Sequence, residues 1–131
     1  MRIVLDANAT IEIVLNRPNS DRLRETVEEA EEVLAPDLLL AEIVNAIWKC
    51  HHFAKLDVNV CDRALDDAVS LVDTFVPARE IHREAFALSR ATNKPAYDMF
   101  YLALAQREDA VLLTLDQSLK KEAVRRGIRV A

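Results

Sequence analysis

A single glycine in 131 residues rules out the backbone-cradle phosphate sites. Neither a dinucleotide-binding loop nor a P-loop can be built without several glycines. With only four prolines besides, turn-forming residues are too scarce for a sandwich or barrel of many short strands. Helices joined by short connections are expected instead. The two cysteines, Cys50 and Cys61, have no metal-ligand spacing and fall in helix-like segments. They are expected to be unpaired, small apolar residues in a reducing compartment. No uninterrupted apolar stretch reaches the ~18 residues of a membrane span. The opening also lacks the basic, apolar and small-residue regions of a secretory leader. No membrane association is expected, and the cytoplasm is the expected compartment. Positive charge is short too, with 17 Lys and Arg against 22 Asp and Glu and a net charge of −5. That balance counts against a protein that merely clamps a nucleic-acid backbone. It does not count against one whose acids carry bound cations.

What is present is an ordinary globular composition, 51% hydrophobic and 30% charged. A chain of this length can bury roughly two-thirds of its unfolded surface without staples. The sequence alternates short apolar runs with helical patterns. Residues 3–5 read as a buried strand ending at Asp6, followed by a short helix over 9–16. Ser20 is placed to cap a polar helix over 21–32. Residues 33–35 form a second strand, closed by Pro36. Asp37 can then cap a helix to about Ala54, apolar nearly all round from Leu38 to Trp48 and so expected to lie deep. An amphipathic helix begins at Asn59-Val60, with Leu65, Val69 and Val72 at helical spacing. Residues 74–77 look like a third strand. Helices follow over 79–93, with Ile81, Ala85 and Leu88 along one stripe, and over 98–108. A strand over 111–115 and a helix over 117–126 complete the pattern, with Gly127 as the residue that stops the helix. Residues 128–130 are expected as a last edge strand. This alternation predicts the α/β class with a small parallel sheet.

Most acids sit in charged runs that water solvates, such as Glu28-Glu29-Ala30-Glu31-Glu32. Four do not. Asp6 follows Ile3-Val4-Leu5, and Asp116 follows an apolar strand. Glu42 lies between Leu38-Leu39-Leu40-Ala41 and Ile43-Val44, and Asp98 precedes Met99-Phe100-Tyr101-Leu102. A carboxylate taken out of water costs several kcal/mol. It persists only when paired, hydrogen-bonded, protonated or bound to metal. No basic residue adjoins any of the four. Brought together, they would repel one another unless a hard divalent cation, Mg²⁺ or Mn²⁺, lay between them. Each has a plainer reading when taken alone: Asp6, Asp98 and Asp116 as helix caps, Glu42 as the partner of a distant Arg. Yet the two strand-end aspartates already predict a shared crevice, because ligand sites in open α/β sheets lie at the carboxyl ends of strands.

Neighbouring polar residues fit such a site. Asn8, Asn45, Thr114 and Ser118 can orient carboxylates or hold water. Lys49 and Lys120 can meet phosphate. Glu12 is expected on the exposed side of a short helix, and His51 and His52 in solvent-facing or structural roles. Trp48, Phe53 and Tyr101 are expected as core or dimer contacts.

Four pieces, in order, carry a family resemblance: Ile3-Val4-Leu5-Asp6-Ala7-Asn8, then Ala35-Pro36-Asp37-Leu38-Leu39-Leu40-Ala41-Glu42-Ile43-Val44-Asn45-Ala46, then Tyr97-Asp98-Met99-Phe100-Tyr101-Leu102-Ala103-Leu104-Ala105, and Leu113-Thr114-Leu115-Asp116. The chain resembles the PIN-domain ribonucleases, especially the VapC-type toxins of toxin–antitoxin pairs. The resemblance implies a single PIN-like domain over residues 1–131, a small parallel sheet flanked by helices, and cleavage of RNA with Mg²⁺ or Mn²⁺. It also implies a homodimer and inhibition by a small cognate antitoxin. By matching position, Asp6, Glu42, Asp98 and Asp116 take the metal-site and catalytic roles. Two departures stand out. Ala7 replaces the hydroxyl residue many relatives carry after the first Asp, and the neutral Gln117 and Ser118 replace a further acid after the fourth.

Two other readings bear on the same residues. One is a PIN-like binding module without catalysis. The other is a phosphatase with Asp6 as nucleophile, since Asp6-Ala7-Asn8-Ala9-Thr10 faintly echoes such openings, although Asn8 cannot be the general acid that chemistry wants two residues on.

Overall fold

The computed structural model describes the whole chain, Met1–Ala131. Four strands form one parallel sheet: β1 (Arg2–Leu5), β2 (Glu32–Pro36), β3 (Thr74–Val76) and β4 (Val111–Leu113). Their spatial order is β3-β2-β1-β4. Seven helices connect and cover them: α1 (Ala7–Val14), α2 (Ser20–Glu29), α3 (Leu38–Ala54), α4 (Val58–Leu71), α5 (His82–Thr92), α6 (Ala96–Glu108) and α7 (Gln117–Arg125). The α/β class with a helix-flanked parallel sheet is thus as expected. β1 is central because nothing in Ile3-Val4-Leu5 tolerates water, and all three are fully buried. Each such side chain contributes about 1.5–3 kcal/mol relative to exposure. The chain steps outward from β1 to β2 to β3, then returns to lay β4 on the other side of β1. The order therefore reverses between β1 and β4, and the crevice of an open α/β sheet opens at that place.

Several expectations need correction. α3 does not lie deep: only Leu39, Ile43 and Ile47 are buried, while Leu40, Val44 and Trp48 are exposed. The helix rests on the core by one stripe, and its apolar outer face meets no other element. In α4 the core residues are the small ones, Cys61, Ala64 and Ala68, and Val69 is exposed. Ser20 lies inside α2; no side chain caps that helix. Glu12 is half-buried, and its carboxylate accepts from the backbone N–H and the side-chain amide of Asn19, both at 3.0 Å. It thereby closes the turn before α2. The helix expected over 79–93 is split at Ile81 into a 3-10 turn (Ala78–Glu80) and α5, with Ile81, Ala85 and Leu88 buried as expected. The last strand is reduced to one bridge between Leu112 and Val130.

Scarcity of glycine shows at the helix ends. Left-handed backbone is carried by Asn16, Lys55, Asn93 and Asp109, and by glycine only at Gly127, where φ is 77°. Asn and Asp tolerate that region better than most residues; Lys55 does not. Both cysteines are free, with Cys61 buried.

Candidate active site

β1 and β4 end side by side. Leu5 pairs with Leu113, and the Asp6 N–H reaches the Leu113 carbonyl at 3.3 Å. The chain turns into a helix directly after β1 and shortly after β4, so the aspartates that follow are helix caps. Asp6 Oδ1 accepts from the Ala9 N–H at 3.0 Å and opens α1. Asp116 Oδ1 accepts from the N–H groups of Ser118 at 2.9 Å and Leu119 at 3.1 Å and opens α7. The plain capping reading of these two residues is correct, and the two caps lie near enough for the Asp116 charge to act on Asp6. Glu42 lies one turn into α3, the helix that follows β2. Asp98 is the third residue of α6, which Pro95 precedes; it caps nothing.

Electrostatics tie the four together. Burial pushes the Asp6 carboxyl up to about 7, and the charges of Asp98 and Asp116 add to that rise; the Thr114 hydroxyl and the Ala9 N–H oppose it. Glu42 is raised by burial and by Asp98, and lowered by its hydrogen bond from Tyr101. Asp98 is raised by burial and by Asp116, with Lys94 opposing. None of the four takes part in an ion pair; the arginines that form them face Glu32, Glu80, Glu108, Asp67, Asp109 and Glu122. The carboxylates thus share a neighbourhood with no guanidinium within ion-pair distance.

No three of these side chains close into a preformed metal cage. Two of the oxygens are already engaged: Glu42 Oε1 by the Tyr101 hydroxyl at 2.6 Å, Asp116 Oδ1 by the N–H groups at the start of α7. The donor chemistry still fits a hard divalent cation. All the donors are carboxylate oxygens, and their mutual repulsion is what such an ion relieves.

The supporting residues divide. Asn8 Oδ1 accepts from the Leu115 N–H at 3.0 Å and from the Thr114 hydroxyl at 3.4 Å, and Thr114 Oγ1 accepts from the Asp116 N–H at 3.0 Å. Together they fix the turn that presents Asp116. Ser118 acts through its backbone on Asp116, while its hydroxyl accepts from Lys94 Nζ at 2.8 Å. Asn45 and Lys49 share with Glu42 and Tyr97 a cavity of about 430 Å³. A second cavity, of about 370 Å³, meets the first at Glu42 and Ala46 and is lined also by Asn8 and Arg17. Lys120 lines neither of them.

Three residues, Tyr101, Lys94 and Arg17, stand at the site without having been expected there. Tyr101 belongs to the core, as expected, but its hydroxyl also holds Glu42; Trp48 and Phe53 are exposed. Tyr101 stands three residues after Asp98, hence on the same helical face. Lys94 stands four residues before Asp98. For Arg17, beside Glu42 and Asn8, no local signal exists.

Residues 3–124 match the PIN domain. The chain is 28% identical over 128 residues to Ribonuclease VapC3 of Pyrobaculum aerophilum, covering 93% of this chain and 95% of that one. Among solved structures it resembles PAE2754 of Pyrobaculum aerophilum, with a TM-score of 0.73, 20% identity and coverage of 99% and 83% of the two chains. VapBC2 of Rickettsia felis, solved bound to a DNA fragment from their promoter, gives a TM-score of 0.68 at 16% identity over 100% of this chain and 98% of that one. FitAcB of Neisseria gonorrhoeae gives 0.66 at 20% identity over 98% and 95%. These structural likenesses concern the fold. With acids at the reversal point of a four-stranded parallel sheet and the family's pattern running from β1 into α7, the chain belongs to the PIN-domain family.

Proposed function

We propose that this protein is a divalent-metal-dependent endoribonuclease, using Mg²⁺ or Mn²⁺, and that it serves as the toxin of a type II toxin–antitoxin pair. The observation that carries the reading is the gathering of Asp6, Glu42, Asp98 and Asp116 at one end of the sheet with no ion-pair partner. Similarity to a ribonuclease along nearly the whole of both chains supports RNA as substrate. The likeness to VapBC2 supports a small antitoxin as partner. The exposed apolar stripe of α3, Leu40, Val44 and Trp48, supports burial against another chain, as a homodimer requires. The cytoplasm is the compartment this reading implies; no helix is long and apolar enough to cross a membrane.

Asp6 and Asp98 are the main ligands in this reading, with Glu42 and Asp116 close by. A divalent cation held there supplies Lewis acidity toward a phosphoryl oxygen and lowers the pKa of water. Tyr101 keeps Glu42 oriented, so that its free oxygen can direct the attacking water. Asn8 and Thr114 keep Asp116 in place. Lys49, on the Glu42 side, receives a phosphate of the strand and positions it. A phosphatase using Asp6 as nucleophile fits less well, because that carboxyl is 3% exposed and one oxygen is committed to the Ala9 N–H.

The test is Asp98→Asn, assayed on a generic single-stranded RNA with Mg²⁺. Cleavage should vanish while the circular dichroism spectrum stays native. Wild-type cleavage by the variant would reject the assignment. A wild-type protein that binds a partner but never cleaves RNA would point to the silent binding module instead.

A further inference from the structure

Beyond the carboxylates, α7 and the segment leading into α6 border a separate, open surface cavity of about 230 Å³ with no apolar residue in its lining. Lys94, Ser118, Lys121, Glu122 and Arg125 line it. Three cations and a hydroxyl therefore face one carboxylate, in a chain whose net charge is −5. Glu122 is 4% exposed, and Arg125 answers it at 3.4 Å. Neither lysine has a carboxylate in ion-pair range, although the Lys94 charge also acts on Asp98, so Lys121 is the less compensated of the two. Lys94 Nζ instead donates to Ser118 Oγ at 2.8 Å, a neutral partner, and Lys121 stands exposed. Positive charge is left over, in a hollow too polar for a base or an apolar side chain. The ligand such a hollow recognises is a small oxyanion.

We propose that this cavity is a phosphate subsite, which takes a backbone phosphate of the RNA strand next to the one that is cleaved. The proposal rests on the ribonuclease reading above. Its placement follows from both walls. Ser118 lies two residues after Asp116 and donates its N–H to Asp116 Oδ1, while Lys94 lies four residues before Asp98 on the segment that leads into α6. A strand whose scissile phosphate meets the carboxylates therefore carries a neighbouring phosphate toward Lys94 and Lys121. There the phosphate oxygens take over the hydrogen bond that Ser118 now accepts. Such a subsite also answers an electrostatic need. An acidic cluster in an acidic protein repels a polyanion, and fixed cations beside it offset that repulsion where the strand must lie. The contact is to the backbone and reads no sequence.

Lys121→Gln is the primary variant, because Lys121 is exposed and pairs with no acid. Arg125→Gln is the second, and Lys121→Arg the rescue. Cleavage of a short single-stranded RNA is followed with Mg²⁺ over a range of salt, using strands with one uncharged methylphosphonate at each linkage in turn. In the native protein one flanking methylphosphonate should raise KM about tenfold, the worth of one charge-assisted contact. In Lys121→Gln the unmodified strand should show that rise, and the methylphosphonate should add little to it. The kcat should be unchanged, and the slope of log(kcat/KM) against log salt should become shallower by about 0.7. Lys121→Arg should restore the native values. Native KM and salt slope in both Lys121→Gln and Arg125→Gln would overturn the subsite.

A second arm needs neither RNA nor metal: titration with inorganic phosphate, read from the amide NMR shifts of Ser118, Lys121 and Glu122. Shifts in the native protein that are lost in Lys121→Gln support the site. Absence of shifts in the native protein overturns it. If the native protein cleaves no RNA, the ribonuclease reading and the RNA half of this proposal fall together, and the phosphate titration alone decides whether the cavity is an anion site. Phosphate binding there, with a KM for RNA indifferent to Lys121, would reject the RNA backbone as the source.

Discussion

The carboxyl group of Asp6 joins packing and chemistry in a single residue. It is 3% exposed, caps α1, and is pushed up to about 7 from an ordinary value of 3.8. Between those two pH values the unfolded chain has lost this proton while the folded chain keeps it. Without metal, this group's effect on stability therefore falls as pH rises through that window and is fully unfavourable above about pH 7, by roughly 4 kcal/mol. Asp6→Asn removes the charge and keeps an acceptor for the Ala9 N–H. In chelator, the variant should match the native protein in urea unfolding near pH 4 and exceed it by up to roughly 4 kcal/mol above pH 7. Equal stability of the two at pH 8 would mean that the burial cost is met by some group other than a cation. Asp6 was legible in the sequence because the run directly before it, Ile3-Val4-Leu5, is wholly apolar. Tyr101 was legible only as a core aromatic; that its hydroxyl holds Glu42 depends on α3 and α6 meeting, 59 residues apart.

Among the elements, helices fix the site and also carry its liabilities. α1 and α7 place two aspartates by capping, so the same acids that open these helices stand in the proposed site. α3 places Glu42 but pays for an exposed apolar face. Its end is also strained, since Lys55 closes it at φ 59°, a region that favours glycine. Lys55→Gly should raise stability by up to about 1 kcal/mol, less the extra entropy glycine brings to the unfolded chain. A melting temperature a few degrees higher, with unchanged RNA cleavage, is the expected result. A lower one would show that the Lys55 side chain holds a contact worth more than the strain. The boundaries of α3 were readable from its pattern, but its depth was not: apolar residues on every face do not say which face finds a partner.

For the whole molecule, the sheet order matters most, because the reversal between β1 and β4 puts the ends of distant segments together. If the proposed site holds a divalent cation, the native state should respond to it. Mg²⁺ that binds only the folded chain must raise its melting temperature, increasingly with concentration. We expect that rise in the native protein and its loss in Asp98→Asn. In chelator, Asp98→Asn should melt no lower than the native protein, because removing one charge relieves the other three. Equal Mg²⁺ responses in the two proteins, by calorimetry, would separate Asp98 from the metal.

The sequence by itself determined the α/β class and the order of strands and helices, and it singled out four acids as candidates, because a charge beside an apolar run stands out locally. Tertiary structure alone decided which cations stay free of these acids, which hydroxyl steadies Glu42, and where positive charge collects at Lys94, Lys121 and Arg125. Those are relations between segments far apart in the chain. Local periodicity records which face of an element is buried, but not what it is buried against.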